Sequence, residues 1–336
     1  MSTKRYVLEL LEKKRGRSIS GEVLAERLNL SRSAVWKAVK ELEKDGYKIK
    51  AVTNKGYCLC DDNDILSVEG MLPFLSDKKT ADRINIYASL ESTNTTAKEM
   101  AVAGAEHGTI LIADYLSRAR GRYERNFFTL PGHGVYMSVI LRPSRQQSYD
   151  TVPTLVTAYA AVSVCAAVEE VSGKMPQIKW VNDVFLEGKK ICGILTEAVS
   201  DFESGGMQWI VVGIGVNFIE PADGFPENIR DIAGALFCRN SNEEKPMLTR
   251  NRLAAEIANR MLDFENKYER APLLFEYKKR LMTIGKRVTV SGLSGGETFE
   301  ANAIDIDEMG RLIVEKEGGE IMSLSSGEVS LGTAEK

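Results

Sequence analysis

One apolar run, WIVVGIGVNF at residues 209–218, constrains the fold of this chain more than any other stretch. It is shorter than the roughly 18 residues that a membrane-spanning helix requires, so it predicts a buried strand whose glycines allow close backbone approach. Strand-like runs also occupy 83–90, 108–116 and 134–143, and 154–173 has the small-residue pattern of a long packed helix. Residues 178–199 have the pattern of a hairpin, with two strands around Glu187 and Gly188. The order of these runs favours an α+β domain with a mixed sheet over a doubly wound repeat.

Charge is distributed unevenly along the 336 residues. Residues 1–60 carry 14 Lys and Arg against 7 Asp and Glu, a balance of +7, whereas the whole chain has a formal charge of −3, so the other residues balance at −10. A basic head on an acidic body indicates that the head binds a polyanion, and a solvated basic face explains the charge equally well.

The length of the chain predicts two or three domains.

Cysteine and histidine usage narrows the function classes. The five cysteines are odd in number and form no C-x-x-C pair, which is typical of reduced thiols and argues against a disulfide framework or a zinc site. The two histidines exclude a His-rich metal site, and no G-x-S-x-G sequence supports a serine hydrolase. The first residues lack the apolar core of a signal peptide, so we expect a cytoplasmic protein without a membrane association.

The basic head has the pattern of a winged helix-turn-helix. Amphipathic helices are predicted on either side of a short turn, with Ser20 and Ser31 as N-caps, and the helix-turn-helix spans Gly21 to Lys40. A β-hairpin signal follows at residues 47–59. The predicted DNA-contacting residues are Ser31, Arg32, Ser33, Trp36, Lys37, Lys40 and Lys55, and further phosphate contacts are predicted from Lys13, Lys14, Arg15, Arg17, Lys48 and Lys50. The alternative is a helical protein-interaction module with solvated lysines. The acidic stretch 60–67 is predicted to be a linker.

Residues 117–128, SRARGRYERNFF, form a segment that we call the arginine loop. Arg120 and Arg122 flank Gly121, and guanidinium groups beside an accessible backbone bind phosphate or carboxylate. Neither G-x-x-x-x-G-K-[ST] nor G-x-G-x-x-G occurs, so the loop is not a known phosphate-binding motif. The alternative is a basic surface loop paired with neighbouring acids.

Ser92, Thr93 and Asn94 follow a strand, where they either bind a polar ligand or cap a helix.

Residues 281–336 alternate short strand-like runs with glycine-rich turns, and this pattern predicts a small SH3-like β-barrel. We therefore expect three domains, at residues 1–62, 63–282 and 283–336.

Several motifs together carry a resemblance to a known family. The helix-turn-helix head, ESTN at 91–94, RGRYER at 120–125, KWVNDVFLEGKKICGIL at 179–195, VVGIGVNF at 211–218 and the terminal SSGEVSL follow one another in this order. In this order and spacing the chain resembles the bifunctional biotin protein ligase and biotin operon repressor family over nearly its whole length. The resemblance implies a winged helix-turn-helix, a central α+β ligase domain of the biotin and lipoate transferase type, and an SH3-like C-terminal domain.

The resemblance also implies a reaction and partners. Such ligases join biotin to the α-phosphate of Mg·ATP and transfer it from biotinyl-5′-adenylate to a lysine of the biotin carboxyl carrier protein of acetyl-CoA carboxylase. No covalent enzyme intermediate is required, so positioning and charge stabilisation dominate catalysis. Adenylate binding is expected to favour a homodimer that binds operator DNA and represses biotin biosynthesis.

Residue roles carry over from the matching motifs. The catalytic residues implied are Arg120, Arg122 and Lys190. The biotin-binding set is Ser92, Thr93, Asn94, Leu116, Arg120, Gly121, Arg122 and Lys190. The nucleotide-binding set is Lys179, Trp180, Asn182, Asp183 and Asn217. No metal ligand is assigned with certainty, and Asp183 is the residue expected near magnesium.

Four positions depart from the family pattern. Leu116 replaces a glutamine that hydrogen-bonds biotin, Ala119 and Glu124 replace glycines that we expect to need positive φ, and Gly332 replaces a common arginine. They motivate an alternative, a biotin-sensing repressor with weak or no ligase activity. A second alternative, a lipoate or octanoate transferase, is disfavoured by Ser92-Thr93-Asn94 and the DNA-binding head.

Overall fold

The structure is a computed structural model, and it describes residues 2–143, 153–200, 207–238, 249–263, 269–291, 298–325 and 327–331. Three parts follow one another along the chain, a helical head, a body built on a seven-stranded sheet, and a C-terminal five-stranded sheet.

Three helices and one hairpin form the head. These are α1 (Thr3–Glu12), α2 (Gly21–Leu28), α3 (Arg32–Lys44), β1 (Ile49–Val52) and β2 (Gly56–Leu59). Ser20 and Ser31 cap α2 and α3 as predicted. Each hydroxyl accepts a hydrogen bond of 3.1 Å from the backbone N–H of the residue three positions later. The head has its own hydrophobic cluster, which includes Leu11, Leu24, Val35 and Leu59. The predicted helix-turn-helix is confirmed, and a hairpin follows it.

The central sheet has the strand order β3-β4-β5-β9-β8-β7-β6. Its strands are β3 (Ile84–Tyr87), β4 (Thr109–Ala113), β5 (Gly134–Leu141), β6 (Gln177–Lys179), β7 (Asp183–Leu186), β8 (Lys189–Ser200) and β9 (Met207–Asn217). Only the pair β3 and β4 is parallel among the described strands, and the other pairs are antiparallel. The predicted α+β class with a mixed sheet is therefore confirmed.

Helices cover both faces of this sheet. They are α4 (Val68–Met71), α5 (Thr93–Val102), α6 (Pro153–Ser172), α7 (Arg250–Leu262) and α8 (Arg270–Arg280). Along β4, Leu111 packs with α5 on one face while Ile110 and Ile112 join the larger cluster on the other face. This alternation follows from the two-residue period of a strand.

One described helix, α6, is long and apolar enough to cross a membrane by length and composition. It packs against α7, α8 and β8, and 67% of its most apolar window is buried within the fold. Burial of this extent is typical of a core helix in a packed domain.

The stretch 60–67, predicted to be a linker, forms hydrogen bonds with Arg15 of the head. Arg15, predicted to contact phosphate, is only 6% exposed. Its guanidinium forms a bidentate pair with Glu12 and donates to the carbonyl groups of Cys60 and Asn63. The prediction for Arg15 is therefore wrong, because its charge is used to hold residues 60–63 against α1.

The C-terminal part is an antiparallel sheet with the order β13-β12-β11-β10-β14. Its strands are β10 (Arg287–Ser291), β11 (Phe299–Ile306), β12 (Leu312–Lys316), β13 (Ile321–Leu324) and β14 (Glu328–Leu331). No pairing joins β13 to β14 among the described residues, so the sheet is open and closure into an SH3-like barrel is not confirmed.

Candidate functional site

A cavity opens between the central sheet, the arginine loop and the edge of the C-terminal sheet. Of the residues predicted for ligand binding, those that line it are Ser92, Thr93, Asn94, Leu116, Arg120, Gly121, Arg122, Lys179, Trp180, Asn182, Asp183 and Lys190. They come from four separate stretches of the chain, so the fold brings together the predicted anion-binding and polar groups.

The arginine loop is a tight reversal of the backbone. Phe127 donates its N–H to Ala119 O at 3.0 Å, and Gly121 donates to Arg125 O at 2.8 Å. At the tip Glu124 has φ of 58°, as expected for a position usually held by glycine, and Tyr123 also has positive φ, at 57°. Ala119 does not have positive φ, so that expectation is wrong for Ala119.

Two of the predicted catalytic cations meet at neighbouring residues of the KWVND motif. Lys190 Nζ lies 2.6 Å from Asp183 Oδ1, and Arg122 Nη1 donates to Asn182 Oδ1 at 3.3 Å. The hairpin β7–β8, predicted around Glu187 and Gly188, produces the first contact, because it places Lys190 opposite the strand that begins at Asp183. Arg122 and Lys190 therefore contact adjacent residues of one motif and place two positive charges in the lining of the same cavity.

The remaining arginines of the site pair with carboxylates. Arg120 forms an ion pair with Glu124 of the same loop. Arg125 forms two hydrogen bonds of 2.5 Å with Glu328 of β14, and this contact raises the pKa of Arg125. An anion that binds Arg120 or Arg125 must therefore displace the carboxylate of Glu124 or Glu328.

Lys179 and Trp180 connect the cavity to the C-terminal sheet. Burial lowers the pKa of Lys179, and the nearby carboxylates of Asp183 and Glu328 oppose this effect. Trp180 is only 3% exposed, and its indole N–H donates to Gly310 O at 3.0 Å. Trp180 thus packs between the two sheets as well as lining the cavity.

Ser92 and Asn94 form a polar part of the cavity wall, and both make hydrogen bonds within the protein. Ser92 caps α5 by accepting the N–H of Thr95. Asn94 is buried, donates to Glu197 at 2.8 Å and to Leu195 O at 3.2 Å, and accepts from Ser138 at 2.6 Å. Both amide hydrogens of Asn94 are satisfied by the protein, so this side chain orders the wall of the cavity.

Glycines of the apolar strand explain how these groups pack. A Cβ at Gly213 would lie 2.2 Å from Asn94 Oδ1, and one at Gly215 would lie 3.0 Å from the ring of Phe127. Phe127 packs edge-on against Tyr136, with ring centroids 6.4 Å apart. Gly213 and Gly215 therefore admit a polar wall and an aromatic floor against the same strand.

Sequence reasoning missed several lining residues, namely Ala119 as a wall residue, Arg125, Phe127, Tyr136 and Glu328. The alternate glycines of β9 were a usable signal for Phe127, because they indicate an approaching side chain. Nothing local to Glu328 indicates that β14 reaches the site.

Asn217 lies outside the cavity lining. It is 9% exposed, and its amide donates to Gly234 O at 2.9 Å. The geometry gives it a role in holding the loop after β9, and its nucleotide-binding role stays a prediction. Gly332 lies outside the described residues.

The predicted DNA-contacting residues are all exposed on the head, and they are Ser31, Arg32, Ser33, Trp36, Lys37, Lys40 and Lys55. Trp36 is 52% exposed, which is unusual for a tryptophan that only stabilises a core. Arg32 pairs with Glu22 across the turn, and Lys40 pairs with Glu43. This surface has the helix and hairpin tip that suit a DNA groove.

Comparison with known proteins matches three segments of the chain to family models. Residues 3–58 match an HTH domain, 86–217 match the Biotin/lipoate A/B protein ligase family, and 283–332 match the Biotin protein ligase C terminal domain. The chain is 33% identical over 332 residues to the bifunctional ligase/repressor BirA of Bacillus subtilis, covering 97% of this chain and 98% of that protein.

The chain belongs to the bifunctional ligase/repressor BirA family. It is also 27% identical over 323 residues to BirA of Escherichia coli, covering 94% of each chain. Among solved structures, biotin protein ligase from Aquifex aeolicus in complex with biotin and ATP matches with a TM-score of 0.60 and 25% identity, covering 75% of this chain and 99% of that one. The resemblance inferred from the motifs is confirmed.

Proposed function

We propose that this chain is an ATP-dependent biotin protein ligase, of the biotin–[acetyl-CoA-carboxylase] ligase class, that also represses transcription in response to biotin. The observation that carries the enzymatic part is that Arg122 and Lys190 contact the adjacent residues Asn182 and Asp183 in a cavity that Ser92 and Asn94 also line. Family membership over nearly the full chain supports the same function.

The first half-reaction joins biotin to the nucleotide. A carboxylate oxygen of biotin attacks the α-phosphorus of ATP, the bond to the bridging oxygen of the β-phosphate breaks, and pyrophosphate leaves. Lys190, Arg120 and Arg122 stabilise the charge that accumulates on the phosphoryl oxygens. Lys179, Trp180, Asn182, Asp183 and Asn217 are proposed to hold the nucleotide, and Ser92, Thr93, Asn94, Leu116 and Gly121 are proposed to hold biotin.

The second half-reaction transfers the biotinyl group. The amine of a carrier-protein lysine attacks the carbonyl carbon of the adenylate, the bond to AMP breaks, and the attacking nitrogen loses a proton. The biotin carboxyl carrier protein of acetyl-CoA carboxylase is the proposed acceptor. Catalysis in this step requires chiefly that the two reactants be held together.

Magnesium fits one residue of the site. Asp183 Oδ1 is buried and accepts no aligned hydrogen bond, although Lys190 Nζ lies close to it. Magnesium is commonly bound by one or two carboxylates together with substrate phosphates, so we assign Asp183 to it. When bound, the ion neutralises charge on the triphosphate, while Lys190 orients the biotin carboxylate.

The repressor function rests on the head. We propose a winged helix-turn-helix in which α3 enters the major groove of operator DNA and Lys55 of the hairpin contacts the backbone. We further propose that adenylate binding favours a homodimer, that the protein acts in the cytoplasm, and that the domains span 1–62, 63–282 and 283–336, with the last domain of SH3-like type.

One experiment tests the ligase and separates it from the alternatives. Purified protein, biotin, Mg·ATP and a carrier domain are incubated, and mass spectrometry is used to detect addition of one biotinyl group to the carrier. Transfer is expected. Biotin binding without transfer at saturating Mg·ATP would select the sensing repressor, and transfer of lipoyl or octanoyl groups instead would select the related acyltransferase.

A further inference from the structure

Arg250 is the first residue of α7, and it is a buried cation outside the cavity. Its relative exposure is 3%, and it does not belong to the residues that line the site. A guanidinium that is removed from water requires hydrogen-bonded partners for its donors. Those partners come from two distant regions of the chain.

The first region comprises both ends of the segment between β4 and β5, which contains the arginine loop. Arg250 Nη1 donates to Asp114 Oδ1 at 2.5 Å and to Gly134 O at 3.2 Å. The same Asp114 oxygen accepts the N–H of Gly132 at 3.1 Å. Asp114 directly follows β4, and Gly134 begins β5, so this guanidinium fixes the points at which the loop segment leaves and re-enters the sheet.

The second region is the stretch that joins the head to the body. Arg250 Nε donates to Asp64 Oδ2 at 3.0 Å, Nη2 donates to Asp64 O at 2.6 Å, and the backbone N–H of Arg250 donates to Asp64 Oδ1 at 2.9 Å. The next residue, Asn251, donates to Ile65 O at 2.7 Å and accepts from Ser67 N at 2.9 Å. The first turn of α7 therefore determines where this stretch lies.

We propose that Arg250 is a positioning residue of the ligase site, and that through it Asp64 helps to hold the arginine loop ready for the adenylate. The proposal rests on the proposed function only for the identity of the ligand. Moving either aspartate leaves donors of the buried guanidinium without acceptors, so the two placements depend on each other. Coupling is reciprocal, and a ligand that orders the loop therefore also favours the observed position of residues 64–67.

Three isosteric variants of the 336-residue chain test this proposal. Asp64→Asn and Asp114→Asn weaken the two arms of the network while keeping side-chain size. Glu169→Gln is the matched control, because Glu169 pairs with the half-buried Arg280 at 3.0 Å and joins α6 to α8, away from the loop. Thermal melting of each variant establishes that it is folded and measures its loss of stability.

The first readout needs no ligand. Hydrogen exchange in peptides covering residues 114–134 is expected to accelerate about threefold or more in Asp64→Asn, since local opening becomes less costly when the loop ends are released. Glu169→Gln is expected to leave that exchange unchanged. The proposal would be overturned if these peptides exchanged at the wild-type rate in Asp64→Asn, or if Glu169→Gln accelerated their exchange equally.

The second readout is the dissociation constant for labelled biotin. Asp64→Asn is expected to weaken biotin binding about threefold or more, although residue 64 lies outside the cavity. In the double variant with Asp114→Asn, the increase in the dissociation constant is expected to be smaller than the product of the two single increases. Unchanged affinity in Asp64→Asn, or full additivity, would contradict a shared guanidinium. Absence of biotin binding by the wild type would instead refute the proposed function, and the exchange readout would still decide the role of Arg250.

Discussion

Glu124 is the departure from the family pattern whose effect the structure makes most measurable. It occupies a left-handed backbone position with φ of 58°, and its carboxylate pairs with Arg120, which lines the cavity. Glu124→Gly removes both the charge and the conformational strain, whereas Glu124→Gln removes only the charge. The two substitutions therefore separate electrostatics from backbone strain.

The magnitudes follow from exposure and conformation. Arg120 and Glu124 are 51% and 72% exposed, so their pairing contributes about 0.5 kcal/mol, and repulsion of an incoming triphosphate adds a similar amount. Together these give about 1 kcal/mol, or roughly a fivefold lower KM for ATP in both variants. Relief of the left-handed conformation adds about 1 kcal/mol to the free energy of unfolding in Glu124→Gly alone.

The assay is biotin-dependent pyrophosphate release, with urea denaturation for stability. Glu91→Gln is the matched control, because Glu91 pairs with Arg118 of the same loop at 3.0 Å and neither residue lines the cavity. The difference in KM should shrink at high salt, since the charges are exposed. An unchanged KM in Glu124→Gln would refute the view that this carboxylate competes with the nucleotide.

Three further changes have defined outcomes. Leu116→Gln is expected to tighten biotin binding by about 1 kcal/mol, measured by equilibrium dialysis, and no change would mean that residue 116 does not contact the ligand. Arg15→Met is expected to lower the free energy of unfolding by about 3 kcal/mol in urea, because Glu12 is left as a buried charge, and a loss below about 1 kcal/mol would contradict the burial of this pair. Burial raises the pKa of Cys165 from 9.0 to about 12, so iodoacetamide at pH 8 should label exposed Cys238 and spare Cys165. Equal labelling of both thiols at pH 8 would contradict the burial of Cys165. The same shift implies that the contribution of Cys165 to stability is complete below pH 9 and is lost as pH rises toward 12.

Local patterns predicted the parts of the molecule whose geometry is set locally. Ser20 and Ser31 cap their helices because a hydroxyl before a helix has a free N–H within reach, whatever the tertiary structure. Glu187 and Gly188 turn the β7–β8 hairpin for the same kind of reason, since both adopt the positive φ that a tight hairpin requires.

Long-range pairing was beyond those patterns. Arg15 looks like its neighbours in a basic cluster, and only the packed head shows that its charge is satisfied by Glu12 and by backbone carbonyls. Glu328 is 203 residues away from Arg125, so no periodicity links them. The open C-terminal sheet likewise depends on which edges pair, which alternating strands do not specify.

Pyrophosphate release in a single turnover with biotin and Mg·ATP tests most directly whether Lys190 acts on the reacting groups. Lys190→Met is expected to lower the rate by about 100-fold or more, since it removes the charge that the proposed mechanism places at the reacting phosphoryl group. Lys189→Met is the control, because Lys189 Nζ donates instead to the carbonyl groups of Arg230 and Asp231. A rate in Lys190→Met within about threefold of that in Lys189→Met would contradict the assignment of Lys190 to the reacting centre.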